Sequence, residues 1–288
     1  MTRPEESGPP LHAADRSRAS RAGKEYWDAV WRGHETRPGL LQAKWSRDFL
    51  IMRFDRFASR HGFLPPARGS TLLEVGCAGS VWLPYFAQRW GYQVEGLDYS
   101  EEGCRQAEAA LRRHGVDGKI HVADFFDPPA SLPGRFDVVL SCGVVEHFEN
   151  REAAVGALGR FLKPCSGMLV TIVPNLCGAM GTITRMFMPE IYRRHVPVSR
   201  EDLAAAHAAS GLRVVMCDYF LPVHLGVLNF EGIRPMVLRS VLGAASTVLS
   251  ALACSLLDLA RVPATSRRMS PYILSVAVPA RREPDSAG

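Results

Sequence analysis

At 288 residues with 47% apolar side chains, the chain can bury one sizeable core and still carry embellishments around it. Its formal charge of +5 is modest, and neither a dense Lys/Arg block nor a stacked-aromatic motif accompanies it, which argues against a nucleic-acid partner. The seven cysteines, at positions 77, 104, 142, 165, 177, 217 and 254, are scattered without a C-x-x-C pair. That pattern suits reduced thiols in a cytoplasmic protein rather than a disulfide framework, and no metal ligand set is expected.

Residues 1–24 are rich in Pro, Gly, Ser and charge and lack an apolar run, so a disordered tail without a secretory leader is expected there. Over 25–60, aromatic and aliphatic residues recur at helical spacing and are interrupted near 33–39 by Gly and Pro. Two helices follow from this, forming a cap over 25–66. They are either a layer packed on a sheet or a lid in which Tyr26, Trp27 and Trp31 close a cleft.

The stretch from Thr71 to Ser100 organises the chain. Residues 71–75 read as a buried strand ending at Gly76, and the small-residue turn Gly76-Cys77-Ala78-Gly79-Ser80 leads into an amphipathic helix over 81–90. A second strand, 92–97, ends on Asp98. The order strand, tight turn, helix, strand, acid is half of a nucleotide-binding βαβαβ unit. A dinucleotide site would want G-x-G-x-x-G, yet only Gly76 and Gly79 are glycine, and Glu74 precedes the turn where a pyrophosphate would be repelled. A carboxylate there suits a cationic ligand instead.

This segment resembles motif I of class I S-adenosylmethionine-dependent methyltransferases, E/D-x-G-x-G-x-G, with Ala78 and Ser80 in place of two of its glycines. The resemblance implies a Rossmann-like α/β fold: a seven-stranded, mostly parallel sheet with an antiparallel last strand and helices on both faces. It also implies S-adenosyl-L-methionine as cofactor. Glu74 would face the sulfonium and amino group, Gly76, Cys77, Ala78, Gly79 and Ser80 would pass beneath it, and Asp98 with Tyr99 would receive the ribose. In the family an N-terminal helical segment often closes the site.

Ser100 with Glu101 and Glu102 opens a further helix that stops at Gly115. A third strand over 119–123 ends in Asp124-Phe125-Phe126, where the family places an acid on the adenine amino group and the next residue against the ring. Asp124 is otherwise an ordinary turn residue. The Pro-rich connection after it leaves no room for the usual third helix. A fourth strand, 136–142, runs into Gly143-Val144-Val145-Glu146-His147-Phe148 and resembles motif IV of the small-molecule enzymes. Cys142 and Gly143 would then face the cofactor. His147 is the candidate general base, or else caps the next helix, and Glu146 orients it or binds an acceptor amine. Asp137, at the far end of that strand, is structural.

A helix over 152–162 and a fifth strand over 168–173 precede a long loop, 175–197, carrying a second candidate base, His195. Ser199 with Asp202 caps a helix, a sixth strand covers 212–220, and the last strand, 272–278, closes the sheet beside it. The loop and an α-helical insertion over 221–271 would form the acceptor side of a methyltransferase domain spanning 67–288. Within that insertion, residues 240–257 carry no charge. A helix packed on the domain or lining an acceptor pocket is expected, a chain soluble without detergent follows, and contact with a lipid surface is the minority alternative. The function implied is methyl transfer to a small, fairly hydrophobic acceptor. A nicotinamide-dependent oxidoreductase would want glycine at 81, which is valine, and a non-catalytic cofactor-binding protein of the same fold is the third possibility.

Overall fold

The computed structural model describes residues 20–34, 40–65, 69–225, 236–260 and 265–280. Its centre is a seven-stranded sheet. The parallel strands are β1 (Thr71–Val75), β2 (Gln93–Asp98), β3 (Gly118–Val122), β4 (Val138–Cys142) and β5 (Met168–Pro174). β6 (Leu212–Phe220) and β7 (Tyr272–Pro279) complete it in the order β3-β2-β1-β4-β5-β7-β6, with β7 antiparallel to both its neighbours. The order reverses between β1 and β4, so the carboxyl ends of these strands open a crevice where open α/β sheets bind their ligands.

Alternation along the strands divides the core in two. Leu73, Val139 and Leu169 face one side, against Leu158 and Leu203 of α5 (Arg151–Gly159) and α8 (Arg200–Ala209). Leu72, Leu140 and Val170 face the other, against the long α2 (Leu40–His61), α4 (Glu101–Arg113) and the insertion helix α9 (Met236–Leu259). Ahead of α2, α1 (Lys24–His34) lies on α4, where Gln106 Nε2 donates to the Trp31 carbonyl at 2.8 Å and Ser100 Oγ to Asp28 at 2.6 Å. The first of the two cap helices ends at His34 and the second begins at Leu40, and the expected break between them lies outside the described residues. The helix after the turn, α3 (Trp82–Tyr85), continues as a π turn over Phe86–Trp90 that Gly91 ends at φ 71°.

Two expectations change. Residues 20–24 belong to the fold and not to a tail: Ala22 is fully buried, Arg21 N donates to His147 O at 2.8 Å, and the Arg21 side chain holds Glu149 and the His195 carbonyl. The remaining 1–19 lie outside the described residues. The expected loop over 175–197 contains α6 (Ala179–Phe187) and α7 (Pro189–Arg193). Its glycines do not break helices: Gly178 is the residue before α6, and Gly181 lets that helix press onto the Leu176 carbonyl, 1.8 Å from where a Cβ would stand. α9 packs on α2, one of the two placements expected of it, and its described residues line no part of the cavity below. No helix intervenes between β3 and β4, as the Pro-rich connection implied.

Candidate functional site

The crevice holds a cavity of about 260 Å3. Its floor is the β1–α3 turn. Gly76 N and Cys77 N are spent on the Leu97 carbonyl of β2, which curls the turn back over the sheet. Gly76 (φ 82°) and Gly79 (φ 58°) take left-handed conformations that other residues resist. A Cβ at Gly76 would lie 2.4 Å from Val144 Cγ2, and one at Gly79 2.7 Å from the Trp31 ring, so both glycines are also needed for space. Ala78 and Ser80 have no such requirement. The room beside Ala78 comes from the opposite element: a Cβ on Gly103 of α4 would stand 2.3 Å from the Ala78 Cβ.

Ser80 replaces glycine with a working hydroxyl. It donates to Glu74 Oε2 and accepts from the amides of Trp82 and Leu83 at 3.1 Å, tying the carboxylate to the start of α3. Burial pushes the Glu74 carboxyl up to about 8, opposed by the Ser80 hydroxyl and aided by the charge of Asp98. Asp98, at the end of β2, accepts from Ser100 N at 2.8 Å and Ala78 N at 3.2 Å, and burial lifts it to about 6. Both carboxyls line the one cavity, with Ala78 and Gly79 between them. Two buried acids whose protonation is displaced upward make a site short of a positive charge.

Around this floor the cavity is walled by Tyr99, Phe125, Cys142, Gly143 and His147 and roofed by Trp27 and Trp31. Tyr99 Oη donates to the Ala22 carbonyl at 3.0 Å, and Arg160 holds the carbonyls of Phe125 and Phe126 at 3.1 and 2.9 Å. Three expected residues stand elsewhere. The Cys77 side chain points into the core, where a Cβ on Gly96 would be 2.7 Å from its sulfur, so Cys77 shapes the turn without lining it. Asp124 is exposed and accepts from Phe126 N at 2.9 Å, the turn role. Tyr26 lies outside the cavity beneath the Arg194 guanidinium, 3.8 Å from the ring centroid. Sequence reasoning missed Ser20, Val144 and Phe148 as lining residues. Phe148 follows directly on Glu146-His147 and was within reach, whereas Ser20 arrives by a bridge to Phe148 that no local pattern announces.

At the end of β4 a short 3-10 turn, Val145–His147, brings Glu146 and His147 inward, and Val196 N on the Glu146 carbonyl at 2.7 Å draws His195 beside them. The two imidazoles lie 4.6 Å apart, and Trp27 meets His147 edge-on at 5.3 Å. His147 Nδ1 is 2.9 Å from the Arg194 carbonyl and His195 Nδ1 is 2.7 Å from the Ile191 carbonyl. A carbonyl only accepts, so Nδ1 of His195 carries its proton and its Nε2 presents a lone pair, whereas His147 has two carbonyls beside its ring, those of Arg194 and Gly143. Burial and the neighbouring His195 hold His147 down to about 4, and burial lowers His195 too. Glu146 is buried, its carboxyl raised to about 8, and its Oε2 has no partner. The three side chains each offer a ligand atom within 4.8 Å of the others, so they can hold a proton between them or a metal ion.

A family model described as "Methyltransferase domain" matches residues 45–216. The chain belongs to the class I methyltransferase family. Among curated relatives, it is 31% identical to a ubiquinone biosynthesis O-methyltransferase of Caulobacter vibrioides over 55% of this chain and 59% of that one. It is 26% identical to the enzyme so named in Brucella anthropi, over 71% and 84%. The chain thus spans under two thirds of the first of these. In fold it is similar to the methyltransferase solved with the Haloferax volcanii activator Trm112 (TM-score 0.56, 18% identity, covering 92% and 100%). It is also similar to the geranyl diphosphate C-methyltransferase of Streptomyces coelicolor (TM-score 0.51, 17% identity, covering 77% and 76%).

Proposed function

We propose that this methyltransferase binds S-adenosyl-L-methionine in the crevice over β1 and β2 and methylates a hydroxyl of a small, fairly hydrophobic molecule. The observation that carries this is that Glu74 and Asp98 line one cavity together with Ala78 and Gly79. Their upward-shifted carboxyls fit a ligand with a cationic amino acid end and a ribose end. When bound, that ligand supplies an electrophilic methyl group on sulfonium. Glu74 would hold the cationic end, Asp98 would accept from ribose hydroxyls, and Phe125 would wall the ring. Trp27 and Trp31 exclude water, which strengthens both contacts and holds donor and acceptor in line.

Proton removal falls to His147. The imidazole is neutral at pH 7, with the Arg194 carbonyl on Nδ1 and the Gly143 carbonyl also beside the ring, so it would take the acceptor's proton at Nε2 as the oxygen–methyl bond forms and the sulfur–methyl bond breaks. Glu146 and His195, whose polar atoms lie within 4.8 Å of it, would position the ring. Glu146, His147, His195, Trp27 and Phe148 would form the acceptor side. The free thiols among the described residues support a cytoplasmic setting.

Calorimetry with S-adenosylhomocysteine and with NAD tests the cofactor. Heat from the first alone is expected, and heat from NAD alone would overturn the assignment. Formation of S-adenosylhomocysteine with hydroxylated aromatic acceptors tests the transfer.

A further inference from the structure

α9 is built inside out. Its inward face, against α2 and the 221–225 segment, is made of Gly243, Ser246, Thr247, Ser250 and Cys254, all buried. Their hydroxyls are satisfied within the helix: Ser246 and Thr247 donate to the Gly243 carbonyl at 2.8 and 3.1 Å, and Ser250 to the Ser246 carbonyl at 2.6 Å. The outward face carries Val241, Val248, Leu249, Leu252, Leu256 and Leu259, between 48% and 82% exposed. From Val241 to Leu259 only 28% of the residues are buried. A helix in water normally turns these faces the other way. The stripe is about 27 Å long at 1.5 Å per residue, far beyond a scattered surface leucine.

Charge at its border indicates what covers it. Asp258 is the one acid of α9, and Arg53, Arg56 and Arg60 of α2 gather around it. Arg53 pairs with it, Arg56 stands 3.9 Å away with its side chain 63% exposed, and together the three hold the Asp258 carboxyl below its usual range. Three cations to one anion leave positive charge beside an apolar stripe. A second copy of the chain would cover the leucines but bring three further arginines against one further acid, adding to the positive excess.

We infer that α9 is a docking surface for an anionic phospholipid bilayer, lying in the plane of the interface with its leucines in the acyl boundary and the arginines at the headgroups. Its inward contacts with α2 and Leu225 N keep it on the domain, so it lies on the membrane and does not cross it. The sequence favoured a packed helix over lipid contact. The structure bears out the packed helix and leaves the opposite, exposed apolar face for the proposed lipid contact.

The test is co-sedimentation of the full chain with vesicles of phosphatidylcholine, with and without phosphatidylglycerol, alongside size-exclusion chromatography. The chain is expected to pellet with the anionic vesicles and far less with neutral ones. L252E/L256E, on exposed positions, should lower the partition coefficient at least ~tenfold, and R56E roughly fivefold or more. Unchanged circular dichroism in both variants would show that folding is intact. A chain that stays in the supernatant with anionic vesicles overturns the proposal. So does a dimer that L252E/L256E dissociates without altering vesicle binding, which would assign the stripe to self-association.

Discussion

Trp31 rests on Gly79, with the ring's Cζ3 2.7 Å from where a Cβ on that glycine would stand. The contact joins the N-terminal cap to the turn that carries the proposed cofactor site, so one substitution tests both. Gly79→Ala should keep the far-UV spectrum and weaken S-adenosylhomocysteine binding about tenfold or more, because φ 58° is strained for alanine and the indole must move. Adding Trp31→Ala should recover part of the loss. Strict additivity of the two in calorimetry would show that the cap and the turn act separately.

Glu74 makes the affinity depend on pH in a definite direction. With its carboxyl at about 8, the empty site holds a proton at neutral pH that a cationic ligand must expel. Binding of S-adenosylmethionine should therefore tighten as pH rises toward 8 and release a proton, visible as a buffer-dependent heat. Glu74→Gln should weaken binding and abolish the buffer dependence.

The same group sets a slope in stability. Glu74 titrates near 8 in the fold against about 4.5 in an unfolded chain, so the native state holds more protons across that range and stability falls as pH rises. His147 and His224, both pushed down to about 4, act in the opposite sense but only below about 6.5. From about pH 6.5 to 8 the ligand-free chain should lose thermal stability, and Glu74→Gln should reduce the slope by about half, Glu146, also near 8, supplying the rest. A wild-type Tm that climbs over this interval would contradict the burial described.

His147→Ala should cut turnover about 100-fold or more at saturating cofactor while leaving cofactor binding within a small factor. An unchanged rate would remove it from the chemistry.

The three convergent ligand atoms of Glu146, His147 and His195 give a separate expectation. Cobalt(II) added to the purified chain should be taken up at one equivalent, with a visible absorption band, and His195→Ala should abolish the band. No band at all would leave the cluster to proton handling alone.

Much of this architecture is legible from residue order because the strands are short apolar runs ended by a glycine or an acid. Glu74, Gly79, Asp98 and His147 fall where such runs stop. What the sequence hides are pairings between distant segments. Ala78 looks like a departure from a glycine-rich turn until Gly103, twenty-five positions on, is seen to supply the missing space. Glycines at 178 and 181 look like loop signals, yet one precedes a helix and the other lets it sit against Leu176. Asp124 follows a strand as Asp98 does, but its carboxylate closes on its own turn at Phe126 N instead of facing the cavity. Spacing finds the strand ends. It does not say which way each end turns.

The ordinary backbone angles of Ala78 and Ser80 carry an implication for anyone engineering this chain. Left-handed conformations in the turn are confined to Gly76 and Gly79, so a consensus-guided change such as Ala78→Gly would relieve no strain. It would instead enlarge the unfolded ensemble and cost roughly 0.4–1 kcal/mol. Resemblance to the commoner glycine pattern would here be bought with a looser cradle.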